Sequence, residues 1–121
     1  FPNNYGGNMG AWDKLYIEIG KYKNASEAYN QLVEEELYEY GHDGYNGTIT
    51  TSEGFFMRKD HPRYGTKKWD DFYEETLDGT KWSNWNCIEI KGAFLKHLKE
   101  MNGYKGKRNI KAFVFWGLAA T

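Results

Sequence analysis

The run "NIKAFVFWGLA" (residues 109–119) constrains this chain most. It is apolar at consecutive positions rather than alternate ones, so a strand built from it has no face to give to water and belongs at the centre of a sheet. Two other segments alternate as half-buried strands do. "LYIEIGKY" sets Leu15, Ile17 and Ile19 against Tyr16 and Glu18, and "NCIEIK" points Ile88 and Ile90 inward.

Between these strands the period changes. In "NASEAYNQLVEEELYEYG" Asn24 or Ser26 can cap a helix, and Ala28, Tyr29, Leu32, Val33, Leu37 and Tyr40 form one apolar stripe. Gly41 stands where a C-cap is wanted. "KKWDDFYEETLDG" places Trp69, Phe72, Tyr73, Thr76 and Leu77 at helical spacing, with acids outward and Gly79 as a stop. "GYNGTITT" and "GFFMRK", joined by "SEG", read as a β-hairpin over residues 45–59. "GAFLKHLKEMNGYKGKRN" offers a short helix through Phe94, Leu98 and Met101, then a basic loop. The order predicts an α+β fold, a single two-layer domain whose mostly antiparallel sheet carries both main helices on one face. Residues 1–14, rich in Gly and Asn without a hydrophobic period, are expected to form a flexible arm before a domain over 15–121.

Several function classes are disfavoured. With 16 Lys and Arg against 17 Asp and Glu, the net charge of -1 gives no global field toward nucleic acid or anionic lipid. Cys87 is the single cysteine, which excludes an intrachain disulfide framework and a multi-cysteine zinc site. There is neither an apolar run long enough to span a bilayer nor the layout of a signal peptide, so a cytoplasmic protein without membrane contact is expected. The aromatic content of 18% is high for so small a chain, and a core this size cannot hide every ring. Recognition through exposed aromatics is the expected task.

Candidate sites divide into four groups. In "YGHDGYNGTITTSEGF" (residues 40–55), His42 and Asp43 could pair as base and orienter, but no nucleophile elbow accompanies them. Glycines and threonines there resemble an anion loop, yet fit no phosphate-binding spacing. The simpler reading is a connection, in which Gly41 ends the helix and Asn46-Gly47 permits a bulge at the start of a strand. The three histidines, His42, His61 and His97, lack metal-ligand spacing, so no metal site or cofactor is expected.

Acids cluster on both helices: Glu35 and Glu39 on the first, Asp71 and Glu74 on the second. If the helices lie side by side, these form one acidic face able to meet a basic partner. In "KWSNWNCIEI" a Ser-Asn turn separates Trp82 from Trp85, two candidate interface anchors of which only one fits the core. Finally, Arg58 and Arg63, with His42, Asn46, Thr48 and nearby rings, make an alternative nucleotide or single-stranded nucleic-acid site.

The acidic helix ending "YEYGHDGYNGTITT", the later "KWSNW" and the terminal "FVFWGLAA" together resemble small accessory proteins encoded by phages and prophages, over residues 15–60 and 80–121. "GAFLKHLKEMNGYKGKRN" departs from that pattern as an apparent insertion. The resemblance implies a protein of the bacterial cytoplasm that blocks a host system. The leading expectation is therefore a non-enzymatic binding protein that docks on a host protein. A nucleotide binder comes second, and a hydrolase built on His42 and Asp43 third.

Overall fold

A computed structural model describes residues 10–121. Four strands form one sheet: β1 (Ala11–Gly20), β2 (Gly54–Met57), β3 (Asn84–Ile90) and β4 (Lys111–Ala120), in the spatial order β1-β4-β3-β2. The fully apolar run is β4, and it is central. It pairs antiparallel with β1, from Ala11 opposite Ala120 to Gly20 opposite Lys111, and antiparallel with β3 on its other side. Three helices complete an α+β single domain: α1 (Ala25–Tyr40), α2 (Lys67–Glu75) and α3 (Gly92–Met101).

Alternate residues of β4 feed two separate cores. Phe113, Phe115 and Ala119 pack with Trp85 and Cys87 of β3 under Ala25, Ala28 and Leu32 of α1. Ala112, Val114 and Trp116 pack with Ile88 and Ile90 against Trp69 of α2 and Leu98 of α3. The helices thus cover both faces of the sheet, and the expectation of two helices on one face does not hold. The physical reason lies in β4 itself: a strand apolar on both sides needs cover on both sides. Burying each of its large side chains contributes about 1.5–3 kcal/mol, which a bare face would forfeit.

The hairpin is also corrected. "GFFM" is β2, but its partner is β3 and the pairing is parallel, with Gly54 beside Asn84 and Met57 beside Cys87. The stretch before it is no strand: Ile49–Thr51 form a 3-10 helical turn in which the Thr48 side chain accepts from Thr50 N. Threonine hydroxyls that bond the nearby backbone compete with ladder formation, and here they prevail.

Helix boundaries follow their caps. The Asn24 side chain accepts from Glu27 N, while the Glu27 carboxylate accepts from Lys23 N. Gly41, at φ 81°, turns the chain off α1 and donates its N–H to Leu37 O. Thr66 caps α2 by accepting from Trp69 N. α3 is built into the second core through Leu98, Phe94 and Leu95, so the apparent insertion is part of the packed domain. Of the expected arm, residues 1–9 lie outside the described residues, whereas 11–14 are the opening rungs of β1, held by β4. No helix among the described residues is long and apolar enough to cross a membrane.

Candidate functional site

The loop after α1 is consumed by its own hydrogen bonds. The Asn46 amide nitrogen donates to Gly41 O at 3.0 Å and to Thr50 Oγ1 at 2.6 Å, and its oxygen accepts from Thr48 N and Thr48 Oγ1. Thr48 is buried, and Thr51 Oγ1 accepts from Ala120 N at 3.1 Å. Asp43 accepts from Tyr45 N, as a turn aspartate does. Asn46 and Thr48 are therefore occupied in tying the loop to itself, while Thr51 Oγ1 and the Gly47 N–H tie it to Ala120 at the end of β4. His42 is exposed beside them.

The loop also gathers rings. The Trp12 indole donates to Gly47 O at 3.1 Å and lies so near that a Cβ on Gly47 would be 2.9 Å from it. Gly47 also has φ +75°, so glycine is required there twice over. On the other side Tyr45 meets Trp82 edge to face, with centroids 5.2 Å apart. Trp12, Tyr45 and Trp82 remain 54%, 62% and 42% exposed. Exposed Tyr38 and Tyr40 stand at the end of α1, where the loop begins.

Trp82 holds a backbone φ of 60°, rare for a residue with a Cβ. That conformation costs about 1–2 kcal/mol, and the indole it carries is left partly exposed. Trp85, three residues on, is fully buried between the sheet and α1; it is a core residue and not an anchor. "KWSNW" thus divides its two rings between surface and interior. Trp82 was visible in the sequence; Trp12 was hidden in the expected arm, and Tyr45 in a turn.

The acidic surface does not assemble as expected. Glu35 and Glu39 lie on α1 and Asp71 and Glu74 on α2, which cover opposite faces of the sheet, so these residues form two separate patches. Asp71 is paired with Lys67 at 3.3 Å, in full solvent view. A carboxylate the sequence reading passed over sits beneath α1 instead. Burial pushes the Glu18 carboxyl of β1 up to about 7; the hydrogen bond from Tyr22 opposes that shift, and the nearby charges of Glu35 and Glu36 add to it.

Arg58 and Arg63 come together elsewhere. Both line a cleft of about 790 Å³ past the end of β2 and alongside Ile88–Ile90 of β3, beside the first turn of α3. Ile90 pairs with Ala112 there, whereas Gly47 bonds Ala120 at the other end of β4. His42, Asn46 and Thr48 are thus separated from the two arginines by the length of the sheet. The Arg58 Nε–H donates to Asn86 Oδ1 at 2.8 Å, and the Asn86 amide donates to Thr76 O at 2.7 Å, which fixes the guanidinium. Among the described residues, no group of three or more His, Cys, Asp or Glu side chains is placed to hold a metal ion. No family model, curated protein or solved structure matches this chain.

Proposed function

We propose that the protein is a non-enzymatic binding protein that docks on another protein through the rings gathered on the 44–47 turn. The observation that carries this reading is Trp82, an indole displayed on a positive-φ backbone and braced edge to face by Tyr45. Aromatic side chains held rigidly at a surface are the usual anchors of interfaces, because little conformational freedom is left to lose on binding. Glu39 and Asp43 flank the rings in the chain, so the partner offers an apolar pocket with a basic rim. The resemblance to phage accessory proteins adds that the partner is a host protein of the bacterial cytoplasm, inhibited or redirected by the contact. The acids of α2 take no part, being on the far face of the sheet.

The test is photo-crosslinking in a bacterial lysate. A photoreactive residue at Tyr45 should give one discrete adduct, removed by Trp82→Ala, while the same residue at exposed Glu75 gives none. Equal labelling from both positions would discard the docking surface.

A further inference from the structure

The cleft beside α3 goes beyond that reading. Arg58, Lys59, Arg63 and Lys91 line it, against the single carboxylate of Glu89. Among the described residues, none of these four cations makes an ion pair. In a chain whose charges nearly balance overall, four cations converge on one concavity without an ion pair, which leaves the place of an anion open. Arg58 is also fixed in place at the margin of the cleft, by its bond to buried Asn86 and by stacking over Phe56 at 5.2 Å, neither of which lines the cleft. Its Nε–H is consumed, and the terminal N–H groups stay available for the bidentate grip that a phosphate accepts.

The helix beside the cleft agrees with this. Lys91 at the N-cap of α3 makes no side-chain cap, and the first turn has no acidic residue, so its N–H groups are not satisfied from within. His61 Nδ1 lies 2.9 Å from Pro62 O, which can only accept, so Nδ1 donates to it and the ring is held at the rim of the cleft. The rest of the lining is apolar. Ile88 and Ile90 form a floor, and Tyr64 and Phe94, stacked on each other at 14° and 5.3 Å, close one side of it with their ring edges. The volume lies in the range of small-ligand sites.

We infer that this cleft binds a nucleotide, with its phosphate held by Arg58, Arg63, Lys91 and the opening turn of α3 and its base on the apolar floor of Ile88 and Ile90. A phosphate alone has no use for the apolar floor, and an apolar ligand has none for the cations. Gly92 also borders a second, smaller cleft of about 370 Å³ edged by Lys96, Lys99 and Lys105. An oligonucleotide would run from one into the other; a mononucleotide stays in the first.

Calorimetric titration of the full chain separates these cases, with AMP, GMP, CMP and UMP as probes beside inorganic phosphate and a thymidine oligonucleotide. At least one mononucleotide should bind at a single site, more tightly than phosphate and no less tightly than the oligonucleotide. Arg63→Ala and Lys91→Ala, both at exposed positions, should each weaken it by about tenfold, the effect of one charge-assisted contact, with an unchanged melting temperature. Arg58→Ala should weaken it at least as much, and the other two variants guard against a folding defect there. No saturable binding of any mononucleotide up to about 1 mM, the weak end of specific affinity, overturns the proposal. So does unchanged affinity in both exposed variants. An oligonucleotide that binds more tightly than every mononucleotide, with a Lys96→Ala and Lys99→Ala dependence, overturns it in favour of a strand track.

Discussion

The indole of Trp85 lies flat across Gly117, so close that a Cβ on the glycine would sit 2.5 Å from the ring carbon Cγ. β3 and β4 therefore meet on the α1 side through a ring on a bare backbone. Gly117→Ala should destabilise the protein by about 1–3 kcal/mol, the usual cost of overpacking a dense core, read as a lower urea midpoint with an unchanged slope. Unaltered stability would mean that Trp85 can move aside, contrary to its complete burial.

Trp82 should behave in the opposite way. Glycine relieves a positive φ worth about 1–2 kcal/mol but loses an edge-to-face contact with Tyr45 worth about 0.5–1.5 kcal/mol. Trp82→Gly is thus expected to stay within about 1 kcal/mol of the parent in urea unfolding and yet lose the crosslinked partner. A large loss of stability would assign the indole to the fold rather than to docking.

Glu18 gives the stability a pH dependence. Its carboxyl titrates near 7 in the folded chain, and in the unfolded chain near the ordinary value of 4.5. Between those values the native state holds the extra proton, so this group stabilises most below about pH 4.5 and its contribution falls as pH rises toward 7. For a half-buried group screened by solvent, the change is on the order of 1 kcal/mol. Glu18→Gln should remove that slope. If the difference between parent and variant is flat from pH 4.5 to 7, the carboxyl is ionised throughout.

Cys87 should be silent until the protein opens. It is fully buried, and burial, helped by the charge of Glu89, pushes its thiol above the ordinary range. An aromatic disulfide reagent should label it at the rate of unfolding and at full speed in denaturant. Rapid labelling under native conditions would contradict the core around β3.

The central strand, helices α1 and α2 and the α+β class were legible because each rests on a local period: consecutive apolar residues in β4, and Ala28, Leu32, Trp69 and Phe72 at helical spacing. The layering was not read, although β4 carried the signal in Phe113 and Phe115 alternating with Val114 and Trp116. The β2–β3 pairing had no local trace. Parallel partners are joined by a long crossover, here containing α2, and adjacent β-like runs look like a hairpin until that partner is known. The same crossover explains the cleft. Arg58 and Arg63 stood out as a basic run, but Lys91 joins them only once β3 lies beside β2.

The pairing of β1 with β4 has a consequence for how the chain folds. Its rungs join residues from Gly20 and Lys111 out to Ala11 and Ala120, so the ladder spans nearly all the described sequence. β3 lies nearer to β4 in sequence than β1 does, so closing the β3–β4 loop costs less entropy than closing the β1–β4 one. The long-range β1–β4 ladder raises the contact order, the feature that slows folding across small domains.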